Sequence, residues 1–199
     1  MQVATISIVY HSVHGHTEQA AKLLADFLES DFTKVHLISV NEVEDRWTDL
    51  HQSDAIVFGS PTYFGNVSAR FKLFMESTGS FWYQQAWKNK LAAAFTVSSS
   101  TGGDKLNTLQ SLAIFAAQHS MQWVSVGVLP RYCNDQQTDG QNRLASYLGL
   151  MLQSDNSQSK VEPFHPGDVL TVELFANRLL DVLLGYKNIK IEKYEAIRN

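Results

Sequence analysis

An α/β fold, a parallel sheet covered by helices on both faces, is the architecture that this 199-residue sequence predicts. Three observations carry it. Short β-branched or apolar runs alternate with stretches whose apolar residues recur at helical spacing. The run at 55–59 is apolar from end to end, the pattern of a strand buried on both faces. Finally, three of the strand-like runs lead directly into loops of small, hydroxyl-bearing and glycine residues, each followed by a helix-like stretch.

The elements follow in order. Residues 3–10, from Val3 to Tyr10, read as the first strand, and Ala20, Leu23, Leu24, Phe27 and Leu28 mark the helix behind it. Residues 35–40 read as the second strand, followed by a polar, weakly patterned stretch at 46–52. The third strand, 55–59, precedes an amphipathic helix marked by Val67, Phe71, Phe74 and Met75. Residues 91–97, rich in alanine, form the fourth strand, and Leu109, Leu112, Ala113 and Ala116 the next helix. The fifth strand is placed at 123–128, and the last helix carries Val172, Phe175, Ala176, Leu179 and Leu183. The region 131–166 is polar and poor in pattern, with 155–159 loop-like and 143–150 partly helical in character. One domain over residues 1–186 is expected, with a charged tail at 187–199 that frays.

Composition narrows the function classes. A chain that is 44% hydrophobic suits one globular domain with a sizeable core. A net charge of -4 and the lack of a basic run speak against nucleic acid. With Cys133 as its one cysteine the chain forms no internal disulfide, which fits a reducing compartment, and no neighbouring His or Lys activates that thiol. No signal-peptide pattern opens the sequence, and no apolar stretch is long enough to span a bilayer. A soluble cytoplasmic protein is expected.

The loop His11-Ser12-Val13-His14-Gly15-His16-Thr17 stands between the first strand and its helix. A helix start offers unpaired N–H groups and partial positive charge, so hydroxyls and one glycine there suit a phosphate. The loop lacks Gly-Lys-Ser/Thr and Gly-x-Gly-x-x-Gly, which excludes the triphosphate and dinucleotide fingerprints. Two other readings stand beside phosphate. The three histidines could hold a metal, although no Cys, Asp or Glu lies among them and only Glu18 follows. Ser12 or Thr17 could simply cap the helix. After the third strand comes 59–66, with Pro61 stiffening the turn and Gly65 freeing it; after the fourth comes 98–104 with its serines and paired glycines. In open parallel sheets ligands bind beyond the carboxyl ends of the strands, where strand order reverses.

Together these stretches resemble the flavodoxin-like family of FMN proteins, and within it the WrbA-type NAD(P)H:quinone oxidoreductases. The matching segments are residues 10–17, 58–66 and 99–103, with Trp82 and His119 as isolated matches. The resemblance implies a flavodoxin-like, doubly wound, five-stranded parallel sheet of order 2-1-3-4-5. It implies that Ser12, His14, Gly15, His16 and Thr17 wrap the FMN phosphate. Pro61, Thr62, Tyr63, Phe64, Gly65 and Asn66 would line the isoalloxazine, and Ser99, Ser100, Thr101, Gly102 and Gly103 would close its other side. His119 would sit near the flavin O2, and Trp82 would shape the pocket for nicotinamide or quinone. No metal is expected. The chain departs from the family in a short 40–53 segment, in Val13 and Tyr63, and in 143–150, where a glycine-rich segment is usual.

The expected function is an FMN-dependent oxidoreductase that takes hydride from NADH or NADPH and reduces a quinone-like acceptor by a ping-pong, two-electron mechanism. The alternative is a flavodoxin-type electron carrier, or an FMN-binding sensor, without turnover of its own. The aromatics Phe81, Trp82, Tyr83 and Trp87 crowd one loop, which points to a homo-oligomer, dimer or tetramer, or else to packing under the segment after the fifth strand.

Overall fold

The computed structural model describes residues 3–131, 140–154 and 164–198, with side chains through 187. Cys133 and the loop 155–159 lie outside the described residues. The elements, in chain order, are β1 (Ala4–Tyr10), α1 (His16–Leu28), β2 (Thr33–Ser39), a 3-10 turn (Val43–Asp45), α2 (Trp47–Gln52), β3 (Ala55–Tyr63), β4 (Asn66–Val67), α3 (Ala69–Ser77), α4 (Gly79–Tyr83), β5 (Leu91–Ser98), α5 (Lys105–Gln118), β6 (Gln122–Trp123), β7 (Leu150–Gln153) and α6 (Pro166–Arg198). The sheet runs β2-β1-β3-β5-β6, so the expected order holds, with β5 in the role of the fourth strand.

Side-chain alternation divides the core into two layers. Ile6, Ile8, Ala55, Val57, Ala93 and Phe95 point toward α1 and α6, where they meet Leu24, Leu28, Phe175 and Leu179. Val9, Ile56, Phe58, Ala92 and Ala94 point the other way, toward Leu50, Phe71, Phe74, Leu112 and Phe115. The continuous apolar runs of β3 and β5 follow from this double coverage.

The structure corrects two expectations. The fifth strand is in two pieces: β6 pairs with the first residues of β5, Leu91↔Gln122, and β7 with the last, Phe95↔Leu150 to Ser98↔Gln153. The run after Trp123 leaves the sheet because Val126 N–H bonds to Tyr147 O and Gly127 turns the chain at φ 66. Arg178 occupies the space a side chain at 127 would need. Residues 143–150 are not helical. Asn142 organises them, donating to Val128 O (2.7 Å) and Ser146 O (2.9 Å) and accepting from Ser146 N–H, a local side-chain network that competes with helix. The last helix, α6, runs without a break from Pro166 to Arg198.

Candidate functional site

Because β1, β3 and β5 are parallel, their carboxyl ends share one sheet edge. A cavity of about 250 Å³ lies there, lined by Ser12, Val13, His14, His16 and Thr17 from the first loop, by Pro61, Thr62 and Tyr63 from the end of β3, and by Val97, Ser98, Ser99 and Ser154. None of these residues is acidic.

The first loop is shaped for an anion. Gly15 takes the N-cap position of α1 in a left-handed conformation, φ 90, and no side chain caps the helix. Ser12 Oγ instead accepts from Gly15 N–H at 3.1 Å, which sets aside the capping alternative. The first-turn amides of α1 therefore keep their outward direction and positive character. Thr17 is buried, and His16 has a buried Nδ1 with no protein partner, the kind of orphaned polar atom that a ligand satisfies. Glu18, next on the helix, pairs with Lys22 on the surface. His11 turns inward: its Nδ1 lies 2.8 Å from Ser68 Oγ, and burial with the nearby Arg70 charge lowers its pKa. Ser68 caps α3 and donates its N–H to Ser60 Oγ, so the first loop is tied to the base of the second. Among the described residues no group of three His, Cys, Asp or Glu is placed to hold a metal.

The second loop is a tight hairpin, with Thr62↔Val67 and Tyr63↔Asn66 paired and both tip residues at positive φ, Phe64 at 49 and Gly65 at 74. Such a two-residue turn matches strand twist, and Asn107 pins it by donating to Gly65 O at 2.7 Å. Only Pro61, Thr62 and Tyr63 of the expected six face the cavity. Phe64 stands fully exposed, Gly65 lies at the tip, and Asn66 lines a separate surface depression beside α5. The hydroxyl of Thr62 is engaged by the protein, donating to Thr108 Oγ1 (2.8 Å) and lying 2.7 Å from Thr96 Oγ1.

In the third loop, Ser99 lines the cavity, while Ser100, Thr101, Gly102 and Gly103 are not among its lining residues. Sequence reasoning placed Ser98 in this loop without giving it a role, and did not single out Ser154 or Lys105. Lys105, the first residue of α5, is buried; its Nζ donates to Ser98 Oγ at 2.9 Å and to Ser100 O. Burial lowers its pKa to about 8, against a raising influence from Asp168. Asp168 meets Arg143, with Nε 2.7 Å from Oδ1, and accepts from Gln153 N–H at 3.0 Å. Gln153 Nε2 reaches Ser99 O at 2.9 Å, so α6 is linked to the cavity wall. The lysine two residues after the glycine pair, behind Asp104, was the signal available for Lys105; Ser154 had none, since it arrives from a distant part of the chain.

His119 and Trp82 do not join the site of their own chain. His119 ends α5, a helix of 14 residues that leads away from the cavity edge over ~21 Å at 1.5 Å per residue. Next to it Asn89 N–H bonds to Ser120 O, and Gln122 pairs with Leu91, where β5 begins. His119 is buried between Trp87 and Phe115. Trp82 lies in α4 at this same far edge, where Gln85 bonds to both Trp82 O and Gln118 O. The aromatics of the loop divide: Trp87 is buried and Phe81 packs on Trp47 and His51, while Trp82 and Tyr83 are exposed.

A family model described as NADPH-dependent FMN reductase matches residues 24–131. Flavodoxin FldP of Pseudomonas aeruginosa (strain UCBPP-PA14) is 33% identical over 172 residues, which covers 86% of this chain and 92% of that protein. A crystal structure of a WrbA-like flavodoxin from Agrobacterium tumefaciens is 35% identical, with a TM-score of 0.70, covering 92% of this chain and 98% of that one. Oxidised flavodoxin 1 from Bacillus cereus, at 15% identity and a TM-score of 0.56 over 89% of this chain and 98% of its own, shares the fold alone. The chain belongs to the NADPH-dependent FMN reductase family, among its flavodoxin-like FMN proteins close to WrbA.

Proposed function

We propose that this protein is a cytoplasmic FMN-dependent NAD(P)H oxidoreductase that delivers two electrons to a quinone-like acceptor by a ping-pong mechanism. The observation that carries the FMN reading is the uncapped start of α1 facing a hydroxyl-lined cavity without a carboxylate. Ser12, His14, His16, Thr17 and the first-turn amides of α1 hold the phosphate in this reading, by charge-assisted hydrogen bonds. Pro61, Thr62 and Tyr63 present backbone to one edge of the ring, and Ser98 and Ser99 to the other. Bound FMN supplies the hydride and two-electron chemistry. The residues bind, orient and exclude water; none of them needs to act as a nucleophile. A homo-oligomer belongs to the same reading, supported by the exposed Trp82 and Tyr83 on α4.

The test is to load the protein with FMN, record its absorbance spectrum, and follow NADPH and NADH oxidation with and without benzoquinone. Uptake of one FMN per chain and acceptor-dependent turnover are expected. Retention of FAD in place of FMN would overturn the cofactor assignment. The relative named as a flavodoxin supports a second reading, an electron carrier; bound FMN without nicotinamide oxidation would favour that one. Light scattering at micromolar concentration checks the oligomer, and a monomer would remove it.

A further inference from the structure

We propose that Lys105 is a positioning residue that holds the loop 98–103 against the cavity and supplies the fixed positive charge favouring the reduced over the oxidised cofactor. The proposal rests on the FMN reading above and deepens it.

Lys105 occupies an unusual place for a cation. It is 1% exposed and stands in the first turn of α5, where the helix dipole disfavours positive charge. Its polar partners are two neutral oxygens, Ser98 Oγ and Ser100 O. Among the described residues no carboxylate forms an ion pair with it; Asp168 is engaged by Arg143 and by Gln153 N–H. A buried, unpaired ammonium is costly. An apolar side chain would fill the same space without that cost, so packing alone does not account for the residue.

The cavity does account for it. Ser98 lines the cavity and accepts from Lys105 Nζ, so the ammonium stands one hydroxyl behind the wall. Ser98 also donates to Ser100 O at 3.2 Å, which folds the loop around the amine. A fixed charge in a weakly screened interior acts on whatever charge develops across the wall. The phosphate carries the same charge in both redox states, whereas the ring gains negative charge on reduction. A cation serving the phosphate would change affinity for both states alike. One serving the ring would change their ratio, and that ratio is the redox potential.

The experiment compares wild type with K105M, K105Q and K105R. Apoprotein is titrated with oxidised FMN by fluorescence quenching, and the two-electron midpoint potential of each holoprotein is measured by redox titration at pH 7. K105Q keeps a hydrogen-bond donor and removes the charge; K105R keeps the charge. K105M and K105Q are each expected to lose at least tenfold in affinity for reduced relative to oxidised FMN, a fall of about 30 mV for a two-electron couple. K105R should stay near wild type. If K105M and K105Q keep the wild-type potential, the proposal is overturned, even where oxidised FMN binds more weakly, because that is what a purely structural lysine would do. If wild-type apoprotein takes up no FMN, the cofactor reading falls and the proposal with it, which separates the two failures.

Discussion

His119 Nε2 lies 3.0 Å from Thr78 Oγ1, and this contact fixes the state of the ring. The Thr78 hydroxyl donates its proton to Met75 O at 2.7 Å, so toward His119 it accepts. Nε2 therefore carries the proton, and Nδ1, buried without a partner, does not. Protonation would place a charge where nothing can receive it, and burial lowers the pKa from 6.5 to about 4. In the unfolded chain the ring takes its proton near 6.5. Its contribution is thus fully present above that pH and is lost as pH falls toward 4. Urea denaturation from pH 7.5 to 4.5 should show His119→Gln losing less stability on acidification than wild type. Parallel curves would refute this account.

Thr17 tests the phosphate cradle. It is buried at the cavity wall, and valine keeps its shape without the hydroxyl. Thr17→Val should weaken FMN binding by about 1.5–3 kcal/mol, the range for a hydrogen bond to a charged group, with little change in the melting temperature of the apoprotein. Unchanged affinity in a fluorescence titration would reduce Thr17 to a packing residue.

Phe64 holds a left-handed conformation, φ 49, with its side chain fully exposed. That conformation is unfavourable for a residue with a Cβ, and asparagine tolerates it better. Phe64→Asn should stabilise the apoprotein by about 0.5–1 kcal/mol, read from its urea midpoint. A loss of stability would show that the ring makes contacts in solution that this exposure excludes.

Gly59 pairs with Phe95 across β3 and β5. A Cβ at 59 would stand 2.2 Å from Phe95 Cζ, inside a fully buried ring. Gly59→Ala should cost about 1–3 kcal/mol by overpacking, and Phe95→Leu in the same chain should recover part of it. Additive losses in the double mutant would rule out the steric account.

Much of this was legible in the sequence because local pattern and tertiary environment agree. The runs of β1, β3 and β5 are apolar since both sheet faces are covered, and the stripe from Val172 to Leu183 is buried as its spacing foretold. The first loop was readable for the same reason: every residue that matters lies within seven positions. The fifth strand was not, because its β-branched run is overruled by the positive φ of Gly127 and by the hydrogen bonds that tie Val126 N–H to Tyr147 O and Val128 O to Asn142. His119 and Trp82 lie apart from the cavity of their own chain for a different reason. Their resemblance was one of position along the chain, while the direction of α3 and α5 carries both to the opposite sheet edge. Lys105 was overlooked because a lysine beside a helix start reads as solvated surface, and only the folded loop encloses it.

The divided last strand bears on the order in which the protein is made. A chain ending at 131 contains the first loop, the hairpin and the whole of β5, and it covers the 24–131 family match to its end. It lacks β7, Ser154 and the Gln153 bridge to Ser99, all of which close the cavity from the far side of 124–149. Asp168, which anchors that bridge, follows later still. In synthesis, then, the first loop precedes the wall at 150–154 by more than a hundred residues, so the cavity is closed only after β7 and Asp168 have emerged.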